Sequence, residues 1–202
     1  MNNITVQSLI KAAQIKGYAI FDDDTKPYNL NIWGIRAADL SIVNKFNDSR
    51  AVFWKYNGNW NIVVHEITTK PGLYYLQNPF PGQTSTFILK EGQYRGSWAA
   101  GLHAGQHPAL IQTKPVTGYR DGNLDAKFDI IPGSETTGIY GIDLHGVWNG
   151  TEFESVSNWS AGCQVTKNSD DHDIFMDLCY KAKDVWGNSF SYTLINQNDL
   201  VI

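Results

Sequence analysis

Two short segments hold residue types that suit nucleophilic chemistry: Gly141-Ile142-Asp143-Leu144-His145-Gly146 and Ser160-Ala161-Gly162-Cys163-Gln164-Val165. A cysteine that follows glycine in a tight turn presents its sulfur and its backbone N–H together, and such N–H groups can form an oxyanion hole. An imidazole on a neighbouring strand can take the thiol proton and raise the thiolate fraction, giving a low-pKa, reactive sulfur. His145 ends an apolar run, Ile139–His145, eighteen residues before Cys163. That is enough chain for a loop out and back. The plainer reading makes Cys163 a small buried residue and His145 a surface residue at a strand end.

Other candidates surround this pair. His103 and His107 have the i, i+4 spacing of some zinc helices. Gly101, Gly105 and Pro108 argue against a helix there, so a loop against substrate is the better expectation. His103, Tyr119 and Arg120 are candidates for a substrate wall. Asp121, Asn123, Asp125 and Asp129 fall at positions 1, 3, 5 and 9 of a calcium loop. Ala126 and Pro132 stand where such a loop has Gly and its bidentate Glu, so a solvated Asx turn competes with a structural calcium. No other cofactor is expected. Cys179 reads as a buried structural thiol, unpaired with Cys163. His65 reads as outward on its strand, His172 as a helix-start residue, and Asp22–Asp24 as a solvated loop.

The elements that must position these groups are mostly strands. Leu9, Ile10, Ala13 and Ile15 have near-helical spacing over 6–16, with Gly17 as C-cap. Tyr28–Trp33 alternates as a strand. Asn57-Gly58-Asn59 between two aromatic, β-branched runs is a strong hairpin signal over 51–67. Thr69–Gly72 is a turn and Leu73–Leu76 a short strand. Residues 77–107 are Gly-rich and polar, with one strand near Thr86–Leu89. Ala109–Gln112, Val116–Tyr119 and Ser189–Ile195 are further strands. Residues 171–184 form a helix capped by Ser169 or Asp170.

The chain has 202 residues and a net charge of −4, which argues against nucleic acid as the main partner. No apolar run approaches the ~20 residues of a membrane-crossing helix. Met1–Gln7 has no basic stretch followed by an apolar core, so no secretory signal is expected.

The pattern His145, a fourteen-residue spacer (146–159) that begins with Gly146, then Ser160-Ala161-Gly162-Cys163 resembles the signature of the L,D-transpeptidase (YkuD-like) catalytic domain. That family has a His, a spacer of similar length, then Ser/Thr-His-Gly-Cys. The resemblance extends upstream through the 51–67 hairpin to Thr69-Lys70-Pro71-Gly72-Leu73-Tyr74, covering about residues 50–166. Ala161 stands where the family has His, and Val165 where it has Arg or Asn. The form Trp159-Ser160-Ala161-Gly162-Cys163 looks like a divergent branch found in phage-encoded proteins.

The resemblance implies a mainly β fold: an L,D-transpeptidase-like β-sandwich with an N-terminal helix and a helix after the cysteine. It implies a catalytic domain over 46–202 with residues 1–45 as an extension. Cys163 would be the nucleophile and His145 the base, with the Gly146 carbonyl orienting the imidazole. Gly162 and Cys163 would supply oxyanion N–H groups, Ser160 would belong to the same catalytic set, and Gln164 and Trp159 would touch substrate. The implied partner is bacterial peptidoglycan and the implied outcome hydrolysis, as an L,D-endopeptidase or L,D-carboxypeptidase. A true transpeptidase and a catalytically inactive wall-binding or virion module stand as alternatives. Such a protein would be made in the cytoplasm and reach the wall after holin release or in the virion.

Overall fold

The computed structural model describes residues 4–148 and 151–200; Met1–Asn3 of the N-terminal stretch read above lie outside them. In chain order the elements are α1 (Val6–Lys16), β1 (Asn31–Arg36), β2 (Asp48–Tyr56), β3 (Asn59–Thr68), α2 (Leu73–Gln77), β4 (Thr86–Leu89), β5 (Gly92–His103), β6 (His107–Gln112), β7 (Val116–Asp121), β8 (Thr136–Gly138), β9 (Leu144–Gly146), β10 (Gln164–Thr166), α3 (Ser169–Trp186) and β11 (Phe190–Asn196). The fold is mainly β. Eight strands close into a barrel in the order β1-β11-β5-β6-β9-β10-β3-β2, and β4-β7-β8 form a separate three-stranded sheet. Where a sandwich is expected, the larger sheet therefore closes on itself. Two of its contacts, β1 with β11 and β9 with β10, are parallel.

Both long helices carry the end signals their sequences suggest. Thr5 caps α1 in a reciprocal box with Ser8, and Gly17 ends it with φ of 68°. Asn168, one residue before the expected caps, accepts from the N–H groups of Asp170 and Asp171 to open α3. The buried stripe of α1 meets Trp33, Ala51 and Phe53 on the outside of the barrel. Phe175, Met176, Leu178, Cys179 and Ala182 of α3 pack against Leu144, Trp98 and Tyr192. Residues 1–45, expected as an extension, supply both α1 and the barrel strand β1.

Four local readings differ from the structure. Leu73–Leu76 is helical, because the Gly72 carbonyl accepts from both Tyr75 and Leu76 N–H and turns the chain. The polar stretch 92–103 is the longest strand. Gly96 there takes φ of +58°, and a Cβ on Gly101 would lie 2.7 Å from Ile111, so these glycines make a bulge and a close contact instead of breaking the strand. Ile139–His145 is regular only from Leu144, since Gly141 sits at φ +69° and Ile139 is 60% exposed. His65 points inward, because the hairpin register places it opposite Arg50.

Alternation puts a polar set inside the barrel. Arg36 donates to the Thr69 hydroxyl and to the carbonyls of Thr69 and Leu89. Arg50 lies 3.6 Å from the Phe175 ring centre and donates to Thr166 Oγ1 and His65 Nδ1. Arg50 Nε and His65 Nε2 have no partner among the described residues. Lys70 pairs with Asp48 at 3.2 Å, both buried.

Burial holds His65 and His145 down to about 3 and His172 to about 4, from an ordinary 6.5. The unfolded chain takes up these protons below pH 6.5 while the native state refuses them, so stability falls as pH drops from there toward 4. The urea midpoint should decrease over that interval, and His65→Leu should make the decrease shallower. An unchanged midpoint across the interval would contradict the assignment.

Candidate active site

The parallel β9–β10 register pairs Leu144 with Gln164 and His145 with Val165, which sets Cys163 beside Asp143. Leu144 and Gln164 face the barrel interior, where Gln164 Oε1 accepts from the Tyr192 hydroxyl. By alternation Asp143, His145, Cys163 and Val165 share the outer face. Phe46, Val147, Val156 and Val165 surround Cys163, with Trp159 against their edge. Cys163 is 8% exposed and His145 1%.

The turn before Cys163 is fixed by Ser160. Its hydroxyl donates to the Cys163 carbonyl at 2.8 Å and accepts the Gly162 N–H at 3.1 Å. Its own carbonyl accepts from Gly72 N–H, which ties the turn to the start of α2. Gly162 takes φ of +131°, and a Cβ there would lie 2.6 Å from the Phe87 carbonyl oxygen. Only glycine fits both constraints. The expectation for Gly162 as an oxyanion donor is corrected: its N–H is engaged by Ser160. The Cys163 N–H has no partner among the described residues and is the free donor at the sulfur.

His145 Nδ1–H donates to the Gly146 carbonyl at 3.0 Å. A carbonyl only accepts, so the neutral ring carries its lone pair on Nε2. The His103 ring stacks on His145 at 4.1 Å and 15°. His103 Nδ1–H donates to Asp143 Oδ2 at 2.8 Å. No hydrogen bond joins Cys163 Sγ to the His145 ring. The sulfur instead accepts from Asp143 N–H and donates to the Gly141 carbonyl, each at 3.4 Å.

The low-pKa thiolate expected for Cys163 is also corrected. Burial, with the Asp143 charge adding to it, pushes the thiol up to about 12. The resting sulfur is therefore a neutral thiol, on the same outer face as a neutral imidazole. Iodoacetamide should label Cys163 slowly at neutral pH, with a rate rising about tenfold per pH unit through the alkaline range, following the thiolate fraction. A rate already level at neutral pH would restore the thiolate.

Among the substrate-wall candidates, His103 meets His145 and Trp159 lies at the edge of the Cys163 cluster. Trp159 meets Trp148 edge-on at 4.5 Å and Phe153 at 5.0 Å, and Trp148 stacks flat on His107 at 3.8 Å. A cavity of about 150 Å³ runs from this shelf past Gly146 to Asp170 and Asp173 at the start of α3. Arg120 lies over the Tyr140 and Phe87 rings, behind Gly162. Tyr119 packs instead with Leu76, Ile88 and Phe128. Gln164 is buried inside the barrel and holds the Gly162 carbonyl through Nε2, so it is not a wall residue.

The calcium candidates bond among themselves and to backbone. Asp121 accepts from Asp129 N–H, Asn123 from Asp125 N–H, Asp125 from Lys127 N–H, and Asn123 Nδ2 donates to Asp129. Among the described residues no group of His, Cys, Asp or Glu is arranged to hold a metal ion. His103 and His107 face each other across the β5–β6 turn. Both cysteines are free and buried. No helix among the described residues is long and apolar enough to cross a membrane.

Two residues at the site gave no motif signal. Gln112 Oε1 accepts from Tyr140 and Ile142 N–H, and its Nε2 donates to the Lys114 and Gly138 carbonyls. It thereby holds the segment whose Gly141 carbonyl meets the sulfur. Asp143 accepts from Gln112 N–H and His103. The only available cue was a polar residue two places before His145 on a strand with the same face. No protein-family model matches the chain, no curated protein matches it, and no solved structure matches it.

Proposed function

We propose that the chain is a cysteine enzyme acting on the stem peptides of bacterial peptidoglycan, with hydrolysis as its outcome. The observation that carries this reading is a base whose tautomer is fixed by the next residue's carbonyl, on the same outer face as a cysteine with an unpaired N–H. In this mechanism His145 Nε2 takes the thiol proton as Sγ attacks the peptide carbonyl. The oxyanion forms against the Cys163 N–H. The leaving amine takes the proton from His145, and a thioester remains. Water then attacks, giving its proton to His145, and the thiolate departs and is reprotonated. The neutral resting pair suits this order, since the proton moves during attack. The fold reading that goes with it is an L,D-transpeptidase-like domain whose sheet has closed.

Hydrolysis is favoured over transfer because an acceptor amine must be positioned to outcompete ~55 M water. Ala161 and Val165, which flank Cys163 in the sequence, are apolar and offer such an amine no charge or side-chain hydrogen bond. A lytic protein of this kind would meet the wall after holin release or from a virion. A second reading, a wall-binding or virion module without catalysis, draws on the missing Sγ–imidazole hydrogen bond and on the Trp148–Trp159–Phe153 shelf, which suits sugar or peptide faces. Incubation with a disaccharide-tetrapeptide plus a free D-amino acid, read by mass spectrometry, separates these. Tripeptide release supports the hydrolase. Exchange of the terminal D-residue supports the transpeptidase. No product, with retained binding to purified walls, supports the module.

A further inference from the structure

We propose that His103 and Asp143 form a positioning clamp that sets the sulfur and the base together; as a role in catalysis it rests on the reading above. Asp143 touches the sulfur directly and reaches the base through His103. Its N–H donates to Cys163 Sγ, and its carbonyl accepts from Gln164 N–H at 2.9 Å, locking it to the strand that follows the cysteine. Its carboxylate has one oxygen on Gln112 N–H at 2.9 Å and the other on His103 Nδ1–H at 2.8 Å. His103, so held, lies flat on the His145 ring. His145 thus has one side on the His103 face and its Nδ1 on the Gly146 carbonyl, which leaves its ring little freedom.

The clamp joins three strands. His103 comes from β5, Gln112 from β6, and Asp143 directly precedes β9. Asp143 is 8% exposed, so its two carboxylate partners replace water that a buried acid would otherwise lack. His103 has its Nδ1 on Asp143 and one ring face on His145, so it acts on the site through these neighbours, as a positioning residue.

The test separates positioning from substrate contact and from the catalytic reading itself. His103→Ala removes both the stack and the donor; His103→Gln keeps a donor toward Asp143. His103→Ala should lower kcat for peptide release by about tenfold to a hundredfold, with KM changed by less than about threefold, and His103→Gln should recover most of the loss. The sulfur is also read without substrate, by iodoacetamide at a fixed alkaline pH. There His103→Ala and Asp143→Ala should each change the Cys163 rate by a similar factor, and the double variant should change it no further. If Asp143→Ala does not fold, Asp143→Asn replaces it in the cycle. An effect confined to KM, or single effects that multiply in the double variant, overturns the clamp. A wild type that releases nothing from walls removes the catalytic reading, and the alkylation cycle still decides whether the clamp exists.

Discussion

Cys163→Ala and His145→Ala should each lower peptide release from purified walls by about a thousandfold or more, and the double variant should be no slower than the worse single one. A thousandfold is about 4 kcal/mol of barrier. The size follows from the roles. Without Sγ no thioester forms, and water would have to attack a peptide carbonyl directly. Without Nε2 the thiol, held up near 12, has no group to take its proton during attack. Non-additivity is the sharper part of the prediction. Residues that act in one step fail together, so removing the second has little left to remove. Initial rates of fragment release by mass spectrometry give the comparison. Losses that multiply would mean that the two groups act in separate steps, and a Cys163→Ala protein with undiminished rate would end the nucleophile assignment.

Asp48→Ala should cost about 3–5 kcal/mol of stability, the range for breaking a buried ion pair from one side. Asp48 holds more than Lys70. Its carboxylate accepts from Ala37 N–H at 2.9 Å, from Thr69 N–H at 2.7 Å and from the Thr69 hydroxyl at 2.8 Å. Alanine would strand a buried ammonium and two backbone donors at once. Burial already holds the Lys70 ammonium below its ordinary range, against the opposing pull of Asp48. Adding Lys70→Met should recover a large part of the loss, because the stranded charge is its largest component. Urea denaturation with a shared slope measures this. A loss under about 1 kcal/mol, or no recovery in the double variant, would show that water reaches the pair.

The hairpin over 51–67 was legible because Asn57-Gly58 admits positive φ between two β-branched runs, a local property. The helix over 171–184 was legible for the same kind of reason. Strand β5 was not, since Gly96 and Gly101 weaken a strand locally and are justified only by Ser189, Lys114 and Ile111 from elsewhere in the chain. His65 was misread as outward because alternation alone does not say which face a closed barrel turns inward. At the site, His145, Gly146 and Cys163 announced themselves by type and spacing. Gln112 and Asp143 did not, because their roles lie in hydrogen bonds to segments 20 to 40 residues away in sequence. The thiol's neutrality was hidden too, since burial of the sulfur is a property of the assembled cluster.

The barrel closes between β1 and β5 through β11, with Ile32 opposite Tyr192 and Trp98 opposite Phe190. During synthesis this has a cost in time. At about 5–20 residues per second, β1 waits roughly ten to thirty seconds before its partner strand emerges from the ribosome. Through that interval one edge of β1, carrying Ile32, Trp33 and Ile35, has no strand beside it, although the β2–β3 hairpin can already cover the other. A nascent chain stalled before Phe190 would expose two strand edges at once, the geometry that invites pairing with a neighbouring chain. Expression yield should therefore depend on chaperone capacity far more than the finished barrel's stability would indicate.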